Sequence, residues 1–138
     1  MSDLVSETYR PTEDEPYMND TQQEYFRRKL IHWREEILRG SNETLRQLKE
    51  EDGRLADMSD WASFETERSF QLRSRDRERK LLSKIEEALR RLEDGSYGYC
   101  EETQEPIGLR RLEARPIATL SIEAQERHER REKAYRDD

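Results

Sequence analysis

The sequence predicts a mainly α-helical protein: a long antiparallel two-helix coiled coil, followed by a small globular part and a C-terminal helix. Three observations predict it. Only 31% of the 138 residues are hydrophobic while 43% are charged, against about 25% charged in ordinary globular chains, so a large round core is excluded. Apolar residues recur at steps of three and four, which is the stripe of a helix that buries one face. Gly53 and Gly95 stand at the ends of the two periodic runs, where helices stop. A composition this polar also suits disorder, and the regular spacing decides for helices.

Residues 1–19 hold Pro11, Pro16, many acids and no periodicity, which reads as a flexible acidic tail with local contacts at most. Thr21-Gln22-Gln23-Glu24 is a capping-box pattern and predicts a helix start at Thr21. The stripe Phe26, Leu30, Trp33, Ile37, resumed by Leu45 and Leu48 after Gly40, predicts a seam for one partner helix as far as about Asp52. A short connection from Gly53 leads to a second helix from about Asp60 to Asp94, with Leu82, Ile85, Leu89 and Leu92 as its seam. Helices of about 30 residues are each roughly 45 Å long, and a short loop makes them antiparallel. The expected unit is a thin finger over 20–94 with its tip at 53–62. Each helix covers one side of the other, so the finger alone is expected to be modestly stable.

The globular part over 95–122 is expected to pack Tyr97, Tyr99, Ile107, Leu109, Leu112, Ile117, Leu120 and Ile122. Ser121 is placed to cap a last helix over 123–138. Four acid-before-base pairs, from Glu123 and Arg127 to Glu132 and Arg136, suit a solvated helix, each contributing about 0.2–0.5 kcal/mol.

Charge narrows the function. Of the net −7, residues 1–24 carry seven acids against one base, and the remainder is close to balance. That argues against duplex DNA binding by broad phosphate neutralisation, which needs a clustered basic face. No apolar run approaches the roughly 20 residues of a membrane span and the acidic start is unlike a signal peptide, so a cytoplasmic protein is expected. One cysteine, Cys100, makes no internal disulfide. No Gly-rich phosphate loop, Ser/His/Asp set or HExxH motif is present, and the chain is not expected to be an enzyme.

Residues 95–124 read GSYGYCEETQEPIGLRRLEARPIATLSIEA. Two C-x-x-C knuckles at this pitch would close a tetrahedron of thiolates around Zn²⁺, but the four positions hold Cys100, Thr103, Ser121 and Ala124. One thiol cannot complete the coordination, and His32 and His128 lie on distant helices, so no zinc is expected. Structural zinc supplies on the order of 10–16 kcal/mol to a small module, and tyrosines, aliphatics and the two hydroxyls are expected to replace part of it. Cys100 reads as a buried small hydrophobe or, given exposure and a lowered pKa, as a redox-sensing thiol.

The GYC, PIG and RRLEARP blocks around these positions closely resemble the C-terminal zinc-finger domain of the DksA/TraR family, and the resemblance to that family as a whole covers about residues 20–136. Asp57-Met58-Ser59-Asp60-Trp61-Ala62 resembles that family's tip motif, with Asp57, Asp60 and Ala62 matching position for position. Taken without the resemblance, two aspartates three apart read as helix caps, and Trp61 and Phe64 either pack back on Leu55 or stay exposed at the tip. Arg73-Ser74-Arg75-Asp76-Arg77-Glu78-Arg79-Lys80 resembles a basic segment of the family in which Arg73 contacts the rim of a polymerase channel, though such a run is also an ordinary solvated face.

The resemblance implies a monomeric regulator of bacterial RNA polymerase with no cofactor of its own. The finger would enter the secondary channel, bring the tip acids near the active site and destabilise promoter open complexes. Ribosomal RNA promoters would be lowered and some biosynthetic promoters raised, without sequence-specific DNA binding by this chain. The resemblance also assigns Leu81, Lys84 and Arg115 to binding of the alarmone (p)ppGpp together with polymerase, a third basic position being Gln125 here. Lys84 and Arg115 alternatively read as structural ion-pair partners. A Gre-like transcript-cleavage factor, which would use tip acids and Mg²⁺, and a DNA-binding or coiled-coil scaffold protein are the competing functions.

Overall fold

The computed structural model describes residues 6–54 and 61–137. Among them are four helices: α1 (Asp20–Arg54), α2 (Trp61–Asp94), α3 (Leu109–Ala114) and α4 (Ile122–Asp137). No strand is present among the described residues, and Tyr99 and Pro106 form one isolated antiparallel bridge. The mainly α architecture is the one expected. No described helix is long and apolar enough to cross a membrane.

The chain forms two compact units, Met1–Leu30 with Glu87–Asp138, and Ile31–Glu86. The division falls inside both long helices, whereas the sequence placed a finger over the whole of 20–94. The physical reason lies in the aromatic end of α1. Phe26 is fully buried, with its ring 5.7 Å from that of Tyr97, so the start of α1 belongs to the core of the globular unit.

Helix α1 starts one residue earlier than the Thr21 pattern predicts, because Asn19 is the cap. Its Oδ1 accepts the Gln22 N–H at 2.8 Å, and its carbonyl accepts the first helical N–H, from Gln23, at 2.9 Å. Gln22 answers by accepting the Met18 N–H at 2.8 Å, a reciprocal arrangement of the capping-box kind displaced by two residues. Glu24 is thereby released and pairs with Arg28 at 3.2 Å. Gly53 stands inside α1 as its penultimate residue rather than breaking it, and residues 55–60, most of the expected loop, lie outside the described residues.

In the Ile31–Glu86 unit the helices run antiparallel. Arg34 meets Glu86 at 2.7 Å and Ser41 donates to Glu78 at 2.6 Å, so the chain advances on one helix as it retreats on the other. Trp33, Ile37, Leu45 and Leu82 are half-buried and Ile85 is fully buried, as a two-helix seam requires; the Leu48 side chain lies outside the described set. Half-burial along most of the seam is what one-sided cover produces.

The globular unit buries Leu30, Ala88, Leu92, Tyr97, Ile107, Leu109, Leu112, Ile117 and Ala118. Gly95, at φ 85°, ends α2. The Ser96 N–H then returns to the Arg91 carbonyl at 3.0 Å, the Schellman closure that a left-handed glycine permits. Ser121 caps α4 as expected, accepting the Ala124 N–H at 3.2 Å. Ile122, expected in the core, is 51% exposed, because as the first residue of α4 it turns outward while Ser121 and Ala124 turn in. Within the described part of α4, Arg127 and His128 both engage Glu102, a partner on another loop.

Gly40 sits in the interior of α1 with open space where a Cβ would stand. Glycine there loses more backbone entropy than alanine. Gly40→Ala is therefore expected to stabilise the protein by about 0.5–1 kcal/mol, measured by urea unfolding of the two chains side by side.

Candidate functional site

Two of the other knuckle positions, Thr103 and Ser121, act on the Cys100 sulfur. Cys100 is 1% exposed and lies on a turn closed by its own N–H to the Glu105 carbonyl at 2.8 Å and by the Gln104 N–H to its carbonyl at 3.0 Å. Gln104 takes φ 66°, the left-handed geometry that tight turns need. The Glu101 N–H reaches the Thr119 carbonyl at 2.9 Å and ties this turn to the segment before Ser121. Burial raises the Cys100 pKa, but hydrogen bonds from the Thr103 hydroxyl and from the backbone N–H groups of Ser121, Thr103 and Glu102 outweigh it and hold the thiol at about 6. Donors aimed at a sulfur favour the thiolate.

These groups do not fit a zinc ion. Thr103 Oγ1 accepts the Glu105 N–H at 3.3 Å, Ser121 spends its Oγ on the α4 cap, and Ala124 has no donor atom. Among the described residues no group of three or more His, Cys, Asp or Glu could hold a metal.

What fastens the two turns of this unit is a strap from the segment before α1, where composition predicts a flexible tail. The Tyr17 hydroxyl donates to the Gly98 carbonyl at 2.7 Å and accepts the Gly108 N–H at 3.0 Å, joining the two ends of the loop that contains Cys100. Its ring packs edge-on against Tyr99 at 5.6 Å, and burial raises its pKa. Gly98 has φ 92°, and a Cβ there would stand 2.9 Å from Met18 Cγ and 3.2 Å from the Tyr17 hydroxyl. Upstream, Tyr9 donates to Glu15 at 2.6 Å, and its ring meets that of Tyr25 edge-on at 5.9 Å. Gln22, fully buried, also donates to the Thr12 carbonyl at 3.2 Å. The acid count hid this role; the signal was the aromatic spacing of Tyr9 and Tyr17.

The basic positions divide into paired and free. Asp76 takes Arg79 at 3.0 Å and Lys80 at 3.3 Å, so part of the octet is an ordinary solvated network along α2. Arg73 is exposed on α2, as is Lys84, and Leu81 is half-buried there. Arg115 is exposed directly after α3. Arg73, Lys84 and Arg115 have no ion-pair partner among the described residues. Asp57 and Asp60 lie outside the described residues, as do the side chains of Trp61, Ala62 and Phe64; Ala62 is known only as part of the first turn of α2.

The arrangement defines a protein of two long helices and a small zinc-finger-like unit that keeps one thiol at its four knuckle positions. Residues 22–92 match the family model for the N-terminal domain of the DnaK suppressor protein DksA, and residues 95–130 match the prokaryotic dksA/traR C4-type zinc finger. The chain is 68% identical to the RNA polymerase-binding transcription factor DksA of Caulobacter vibrioides, over 94% of this chain and 92% of that one. It is 44% identical to the protein of that name from Escherichia coli, over 92% and 84%. The solved structure of transcription factor DksA2 from Pseudomonas aeruginosa superposes with a TM-score of 0.81 at 48% identity, covering 90% of this chain and 94% of that one. The chain belongs to the DksA family.

Two outcomes follow from this geometry. Tyr17→Phe removes one hydroxyl that serves both Gly98 and Gly108, and is expected to cost about 1–3 kcal/mol, measured by urea unfolding. Because the folded Cys100 pKa lies below its ordinary value near 9, the thiolate contributes stability that is complete above about pH 9 and lost as pH falls through about 6. The stability difference between wild type and Cys100→Ala should shrink across that window, and a difference independent of pH would show that the sulfur remains a neutral thiol.

Proposed function

We propose that this chain is an RNA polymerase-binding transcription regulator that enters the secondary channel with its paired helices and destabilises promoter open complexes together with (p)ppGpp. The observation that carries the reading is the 68% identity, along nearly its whole length, to a protein named for binding RNA polymerase. Asp57, Asp60 and Ala62 would act at the tip near the polymerase active site, and Arg73, exposed on α2, would touch the channel rim. An exposed cation without an internal partner suits an acidic protein surface, where complementary charge speeds encounter and fixes orientation.

Lys84 and Arg115 would contact the alarmone, with Leu81 as a neighbouring apolar contact. A lysine offers a point charge and an arginine a planar fork, the two donors that phosphate groups favour. The effect on a promoter would depend on the lifetime of its open complex, with ribosomal RNA promoters lowered and some biosynthetic promoters raised. In this reading the chain works in the cytoplasm as a monomer, catalyses no reaction itself, reads no DNA bases and carries no zinc. The single thiol among the four knuckle positions supports the last point.

The test is initiation in vitro from a ribosomal RNA promoter, with and without (p)ppGpp. Asp60→Asn keeps the size and capping ability of the residue, so it should abolish regulation while polymerase binding persists. Regulation equal to wild type would remove the tip from the mechanism. A chelator should leave both the melting curve and the regulation unchanged.

A further inference from the structure

The effector role proposed for Arg115 needs a guanidinium held at a fixed place, and the structure supplies an unusually complete fixture for it. Arg115 follows the last turn of α3. Its own N–H is bound to the Arg111 carbonyl at 2.7 Å, and its carbonyl accepts the Ala118 N–H at 3.0 Å. The next carbonyl, of Pro116, accepts the hydroxyl of buried Tyr97 at 2.7 Å. Two residues upstream, Lys29 of α1 reaches residue 113 twice, meeting the Glu113 carbonyl at 3.0 Å and its Oε2 at 2.6 Å. A cation on the closing carbonyls of a helix satisfies groups that have no intrahelical partner.

Burial and the nearby Glu113 carboxylate push the Tyr25 phenol up to about 12, and the Lys29 ammonium stands 5.9 Å over the Tyr25 ring. The Lys29 and Glu113 side chains are each about one-third exposed, at 35% and 33%. Pairs so open to water add little to folding. What Lys29 does achieve is geometric: it pins both the backbone and the side chain of the turn from which Arg115 projects. The guanidinium itself stays exposed and free of protein partners among the described residues, so only side-chain rotamers remain to be ordered when an anion binds.

Resting on the effector reading above, we infer that Lys29 and Glu113 are positioning residues for the alarmone: their ion pair sets the Arg115 corner so that its fork meets a phosphate group. Two variants separate placement from simple charge. Lys29→Met removes a positive charge and Glu113→Ala a negative one, so a purely electrostatic influence on a polyanion would move the response in opposite directions. Loss of placement moves both the same way.

The measurement is the (p)ppGpp concentration that half-maximally enhances inhibition of a ribosomal RNA promoter by the full-length factor on RNA polymerase. Lys29→Met and Glu113→Ala are each expected to raise it by roughly fivefold or more, with alarmone-free inhibition and the melting temperature near wild type. Lys29→Arg should restore most of the response, and Lys29→Met should add nothing once Arg115→Ala is present. Shifts of opposite sign, or no shift in either variant while Arg115→Ala loses the response, would overturn the positioning role alone. A full response in Arg115→Ala would overturn the effector reading and this inference with it.

Discussion

The globular unit depends on closing the loop that carries Cys100. Its turn at Cys100 begins beside Gly98 and ends at Gly108, and one phenol, that of Tyr17, bonds to both ends at 2.7 and 3.0 Å. A zinc ion would pull four side chains inward from the middle of such a module, at strengths on the order of 10 kcal/mol. Here the restraint comes from outside, through a segment that precedes α1. A net hydrogen bond contributes about 1 kcal/mol, so one phenol cannot match a metal. The rest has to come from the aromatic packing that accompanies it. Tyr17 on Tyr99, Tyr9 on Tyr25, Tyr25 on Phe26 and Phe26 near Tyr97 form a sequence of ring contacts, each of about 0.5–1.5 kcal/mol beyond area burial.

The same economy explains why α1 serves both compact units. In the Ile31–Glu86 unit the helices offer each other a narrow stripe and leave most seam residues half-exposed. In the other unit, Phe26 and Leu30 are fully covered. A continuous helix started by the Asn19 cap therefore begins in the best-packed part of the chain, and costly nucleation is supported where tertiary contacts are densest.

Much of this was legible in the sequence. The helix pair, the stop at Gly95 and the Ser121 cap followed from spacing and cap chemistry, because these are local rules written into neighbouring residues. The loss of metal donors was equally plain, since a tetrahedron needs a count of thiols. The strap was not legible. Its contacts join Tyr17 to Gly98 and Gly108, more than 80 residues away, and its acids and prolines carried the stronger local signal. Nor was the Asn19 cap, because Thr21 and Glu24 fit the box equally well until the buried Gln22 had to find partners. Lys29 and Glu113 lie 84 residues apart, and neither has a local pattern that announces the other. Among the site residues, Arg73, Lys84 and Arg115 were found through resemblance to a family; that they form no ion pair among the described residues is a tertiary fact.

Gly98 ties two distant stretches of the gene to one another. With Met18 Cγ and the Tyr17 hydroxyl standing where a Cβ would be, no larger residue enters at 98 unless the start of the protein is rebuilt or displaced. Conversely, once glycine is fixed there, drift at 17 and 18 is confined to side chains that fill the same hollow. Descendants of this chain should thus change these three codons together, and a hybrid joining the first twenty residues of one lineage to the knob of another would inherit a collision or a void.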